Sequence, residues 1–78
     1  MNKRNRTELA EWEIRLLAEA EEIENKVIAL TKFLDEPEDN TKIDRVHWSM
    51  LETQLAAMET YSNVVKMRLI SLNIRLDY

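Results

Sequence analysis

The sequence predicts an all-α fold: an antiparallel two-helix hairpin that assembles into a homo-oligomeric helical bundle. Three observations predict it. Two long stretches place apolar residues at steps of three or four, which puts them in one stripe on a helix. Glycine is absent and the single proline, Pro37, falls between the stretches, so neither is interrupted by a helix breaker. The end of the second stretch is apolar on more sides than one neighbouring helix covers.

Residues 1–6 read as a flexible basic arm carrying Lys3, Arg4 and Arg6, and residues 7–78 as a single helical-hairpin domain. Thr7 is a candidate N-cap with Glu8 set against the helix dipole, and Asn5 with Glu8 is an alternative capping box. Helix 1 is predicted over about 8–35, with the stripe Leu9, Trp12, Leu16, Ala20, Ile23, Val27, Leu30 and Leu34. Glu11, Glu22 and Lys32 lie on its opposite face, and Glu22 with Lys26 forms a favourable pair one turn apart. These glutamates read as a solvated surface. Pro37 disfavours a helical Glu36, so a polar turn is predicted over 36–41. Thr41 with Asp44 resembles a second capping box, and helix 2 is predicted from about 42 to 76. A short connector between amphipathic helices gives an antiparallel pair. Matching Leu34 with Ile43 then sets Ile23 against Gln54, Leu16 against Tyr61 and Trp12 against Val65. In that register the tail of helix 2, from Val64 to Leu76, overhangs helix 1 and needs further neighbours. A dimer or tetramer is expected, because a lone hairpin encloses little core.

Composition excludes several functions. No cysteine is present, so there is no disulfide framework; with one histidine besides, no metal site is expected. Without glycine there is no phosphate-cradling glycine loop, and no cofactor is expected. No nucleophile–base pair stands out, so the chain does not read as an enzyme. No apolar run approaches a membrane span and no apolar signal region follows the basic start, which predicts a cytoplasmic protein without a membrane partner. The net charge of −4 makes nucleic acid an improbable partner. The acids concentrate in residues 16–44, leaving an acidic middle between basic ends.

One pattern stands apart. His47, Gln54, Tyr61, Arg68 and Arg75 recur every seventh residue and therefore form one line along helix 2. Leu51, Met58, Val65 and Leu72 flank it on one side, and Met50, Ala57 and Val64 on the other. A polar row among apolar residues is costly to bury unless it is paired or kept for a ligand. Two readings stand side by side: a seam that fixes register between subunits, or the lining of a pocket between chains. Lys26 lies one turn from Ile23 and in the predicted register reaches the Gln54 region. Arginine, lysine and tyrosine beside apolar walls suit a flat anionic ligand, such as a nucleotide.

Lys26, Leu30, Phe33 and Leu34 in the first helix, with Leu51, Gln54, Leu55, Met58, Tyr61 and Arg68 in the second, resemble a group of small helical proteins encoded by phages and prophages, related to a crAss-like phage protein. The resemblance covers about residues 9–70, and Gln54, Met58, Tyr61 and Arg68 carry its distinctive part. Met50-Leu51 replaces the double leucine usual there. The resemblance implies phage origin and no established catalytic activity. By analogy with compact helical phage proteins that hold nucleotide immune signals between subunits, it suggests an accessory protein that counters host antiviral defence. Lys26, Gln54, Tyr61 and Arg68, with His47 and Arg75 at the edges, are the ligand-binding candidates. Lysine and arginine would neutralise phosphate, Tyr61 would stack or hydrogen-bond, and Gln54 would read a base or ribose edge. The alternatives are a module that inhibits a host protein through its acidic face or apolar tail, and a structural coiled-coil subunit of the phage.

Overall fold

The structure, a computed structural model, describes residues 8–36 and 41–74. The basic arm, the Thr7 cap, Pro37 with residues 38–40 of the turn, and Arg75 and Leu76 lie outside the described residues. Two helices, α1 (Glu11–Asp35) and α2 (Arg45–Ser71), pack against each other as a hairpin.

Both helices begin later than the sequence pattern suggests, and the caps explain why. At the start of α1, the Glu13 carboxylate turns back and accepts the Ala10 backbone N–H at 2.9 Å. This is the glutamate half of a capping box, and Glu11 and Glu13 both face the positive end of the helix dipole. Ala10 offers no side-chain oxygen, so the Glu13 N–H bonds the Ala10 carbonyl instead, at 3.0 Å. At the start of α2, Asp44 is itself the cap, not the partner of Thr41. Its carboxylate accepts the His47 backbone N–H at 2.7 Å.

The end of α2 overturns the expected overhang. The helix stops at Ser71, and Asn73 takes a left-handed conformation with φ 59°. The Asn73 N–H bonds the Ile70 carbonyl and the Ile74 N–H bonds the Leu69 carbonyl, both at 3.0 Å. This pair of bonds is the Schellman motif, and asparagine tolerates the left-handed cap better than most residues. The chain therefore folds back, and Ile74 packs with Leu69, Val65, Leu16, Leu17 and Ala20 in the core. That core sits at the open end of the hairpin, where α1 starts and α2 finishes.

The register also differs from the expected pairing. Leu16 shares its cluster with Val65 and Leu69 rather than facing Tyr61, and Tyr61 sits beside Ile23. Relative to a short tight turn, α2 is displaced by roughly two turns. The longer connector between Asp35 and Arg45 allows this, and it lets Leu16, Ala20, Val65 and Leu69 bury together.

A polar brace crosses the pair. The Glu24 carboxylate pairs with the Lys66 ammonium and accepts the Ser62 hydroxyl at 3.3 Å. The Lys66 hydrogen bond holds the Glu24 pKa below its ordinary value, with its charge and Ser62 adding to this and partial burial opposing it. A depressed carboxylate contributes stability that is present above the unfolded pKa, about 4.3, and is lost as pH falls through the folded value. Both side chains are about a third exposed, so the contribution is modest, about 1 kcal/mol or less. The expected result for Glu24→Gln is a melting temperature a few degrees lower at neutral pH. Thermal melts across pH should show that gap closing below about pH 4. A gap that persists unchanged at pH 3 would show that Glu24 acts through packing instead of charge.

Candidate functional site

The line of polar residues on α2 proves to be a border. The side chains on one side of it face α1: Val65 is buried, and Leu51, Met58 and Leu72 are half-buried. Those on the other side face outward: Met50 is 57% exposed, Val64 50%, and Ala57 is exposed. Val46, at 69%, continues this outer stripe toward the turn. The row itself is solvated at His47, Gln54, Tyr61 and Arg68, so the expected cost of burying it does not arise within one chain.

The hairpin brings α1 against the middle of this row. Tyr61 lines a groove of about 200 Å³ with Glu19, Glu22, Ile23 and Lys26 of α1. Ile23 is buried and forms the apolar floor, while Tyr61 is 44% exposed. The Lys26 Nζ stands 3.6 Å from the Glu22 carboxylate, the pair expected from their spacing. The Glu19 carboxylate set against the Tyr61 hydroxyl pushes the phenol pKa up. Loss of water around the phenol and the charges of Glu19 and Glu22 act in the same direction, and Arg68 acts against them.

Arg68 therefore stands close enough for its charge to be felt at Tyr61. Arg68 follows Tyr61 by about two turns of α2, and Gln54 precedes it by about two. The Gln54 amide Nε2 lies 3.9 Å from the Met58 Sδ. His47 is fourteen residues before Tyr61 in the sequence, about 21 Å along the helix axis, and occupies the first turn of α2. Lys26 and Tyr61 thus meet in one groove; Arg68, Gln54 and His47 are not among its lining, and Arg75 lies outside the described residues.

Glu19 was not among the residues singled out from the sequence, and Glu22 was assigned only to a solvated face. A signal was present. Glu19 and Lys26 are seven residues apart, the same step that builds the row on α2, so they share a line on α1. A second depression, of about 190 Å³, lies around the Glu24–Lys66 brace, with Val27, Glu59, Ser62 and Asn63. Its cation already serves Glu24.

Among the described residues, no group of three or more histidine, aspartate or glutamate side chains is placed to hold a metal ion. No helix there is long and apolar enough to cross a membrane. A family model described as Sequestin matches residues 10–71, which takes in both helices. No curated protein and no solved structure matches the chain.

Proposed function

The chain belongs to the Sequestin family, and from that premise we propose that it is a binding protein that sequesters a small anionic nucleotide without chemical change, in a groove completed by a second copy of the chain. In this reading it is a phage or prophage accessory protein, akin to crAss-like phage proteins, that withdraws a nucleotide immune signal from host antiviral defence. The family's name speaks of sequestration. The observation that carries the ligand class is the convergence of Lys26 and Tyr61 on one apolar-floored groove, with the charge of Arg68 felt at Tyr61. Two cations suit phosphate, and an aromatic ring suits a base or ribose.

The need for a second copy follows from size and shape. Ligand pockets usually run to about 300–1,000 Å³ and enclose most of the ligand. A groove of about 200 Å³ with exposed walls supplies one side only. Beside it runs the outer stripe of Val46, Met50, Ala57 and Val64, an apolar surface that association would cover.

Calorimetric titration against cyclic dinucleotides and ADP-ribose cyclisation products tests this. One of them is expected to bind, and Lys26→Ala and Arg68→Ala are each expected to weaken it about ten- to a hundred-fold, the usual range for a charge-assisted hydrogen bond. No heat from any ligand at tens of micromolar protein would remove the proposal.

The outer stripe also favours a second reading, a module that inhibits a host protein through that surface. A pulldown from host lysate with one stoichiometric protein partner, and no nucleotide binding, would select it.

A further inference from the structure

The outer stripe of α2 is half of a longer pattern. Thr53 and Thr60 fall between its members, and Met67 and Ser71 continue the line beyond Val64. From Val46, in the first turn of α2, to Ser71, its last residue, the steps then alternate four and three. That is the spacing of a coiled-coil seam, sustained for between three and four heptads. All its members are exposed, Met67 at 66%. The seam lies across the polar row from α1, so the hairpin's own packing does not use it.

Two properties separate this seam from an ordinary solvated face. Neither the seam nor its flank of Ser49, Ala56, Asn63 and Ile70 carries a charged residue, although 33% of the chain is charged. Glu52, Glu59 and Lys66 recur at their own step of seven and stand on another side of the helix. The hydroxyls on the seam are also satisfied within α2. Thr53 donates to the Ser49 carbonyl at 3.0 Å, Thr60 to the Ala56 carbonyl at 3.1 Å and Ser71 to the Arg68 carbonyl at 2.7 Å. Covering these side chains therefore strands no donor, which removes the usual cost of burying a hydroxyl.

The occupant that fits is a second copy laid antiparallel. One register then sets Met50 opposite Met67 of the partner subunit, Thr53 opposite the partner's Val64 and Ala57 opposite the partner's Thr60. The layers come out nearly even in size. A parallel copy would stack Ala57 on Ala57 and valine on valine, leaving a waist that close packing disfavours. It would also set like ends of the two helix dipoles side by side, whereas the antiparallel pair opposes them. The antiparallel register has a further result. It brings the polar rows of both copies to one edge of the seam, the edge nearer α1. Gln54 of the partner subunit stands level with Tyr61 there, and the partner's His47 level with Arg68.

Resting on the shared-groove reading above, we propose that two hairpins pair antiparallel along this seam, so that Gln54, which does not line the groove of its own chain, completes the groove at Tyr61 of the other. The step of seven along the row then has a reason: Tyr61 serves its own groove and Gln54 its partner's.

The chain has no cysteine, so single-cysteine variants of the full chain read the register directly. Thr53→Cys and Val64→Cys are expected to give a disulfide-linked dimer only when mixed, because in this register each lies about 16 Å along the axis from its own copy. Gln54→Cys mixed with Tyr61→Cys is expected to be joined by a short bismaleimide more readily than either variant alone. Non-reducing gels read both results, sedimentation gives the assembly state of wild type, and circular dichroism shows that the helices are retained in each variant.

Thr53→Cys and Val64→Cys each forming a disulfide-linked dimer alone would show a parallel pair and overturn the inference, leaving a shared groove standing. Wild type that sediments as an oligomer while neither mixture cross-links would move the interface to another face, with the same consequence. Cross-linking of the first mixture without the second would overturn the place given to Gln54. Wild type sedimenting as a single copy at tens of micromolar would overturn the seam and the shared groove together. All of these are read without nucleotide, so the seam can stand even where calorimetry finds no ligand.

Discussion

Replacing Leu69 by alanine is expected to abolish the cooperative unfolding transition of the chain or to lower its melting temperature by more than about 10 °C. Leu69 is fully buried, between Leu16, Leu17 and Ala20 of α1 and Ile74 of the folded-back tail. Removing a buried leucine side chain costs about 2–5 kcal/mol, the spread reflecting how far the cavity collapses. A chain of this length has a net stability of about 4–12 kcal/mol. The core holds only a handful of large buried side chains, so few neighbours can relax into the space. Val64→Ala makes a matched control: it trims a half-exposed side chain on the outer stripe and should change the monomer's stability by about 0.5 kcal/mol or less. Thermal melts followed by circular dichroism compare the two. Equal melting temperatures would mean that the open end of the hairpin is not where the stability resides.

The second large effect concerns association. Val64→Glu is expected to convert the proposed oligomer into monomer and, with it, to cost at least about a hundredfold in nucleotide affinity, while the helices remain. In a symmetric interface the same patch serves both copies, so one substitution buries two like charges. An unpaired buried charge costs several kcal/mol, enough to dissociate a small interface. Sedimentation of wild type and variant at tens of micromolar reads the first effect, and calorimetry with the preferred nucleotide reads the second. Wild type sedimenting as a single copy would sink the shared groove. A monomeric variant that binds as tightly as wild type would show that one hairpin suffices.

The two helices were legible in the sequence because periodicity at three and four residues survives any local error. Leu16, Ala20 and Ile23 lie on the predicted stripe and are buried. Leu17 is buried as well, although it sits one position off that stripe, because the face covered by α2 and the returning tail is wider than one row. Trp12 lies on the stripe and is half exposed. The helix ends were less legible. Asp44 and Thr41 are both good capping residues, and only the folded backbone decides between them. Asn73 inside an apolar run gives little warning of a reversal, yet it determines where Ile74 goes.

The candidate site was legible in its members and not in its grouping. Tyr61 and Arg68 were picked out by their step of seven, and Lys26 by its place near Ile23. Which α1 residues meet them depends on how far one helix is slid along the other, and a connector of uncertain length leaves that open. With the actual displacement, Lys26 meets Tyr61 and not Gln54, and Glu19, which the sequence pattern did not single out, lines the groove with them. The acidic character of the groove follows from that displacement.

The brace of Glu24, Ser62 and Lys66 has a consequence for the speed of capture. It links α1 to α2 away from the groove at Tyr61, so a shift of either helix by a turn would break it at a modest cost. Admission to the groove then needs only side-chain swings of Lys26, Arg68 and Tyr61, which take picoseconds to nanoseconds at exposed positions. In the proposed sequestration, arrival of the ligand would then be limited by encounter with the assembled groove, and residence time would set how thoroughly it is withdrawn.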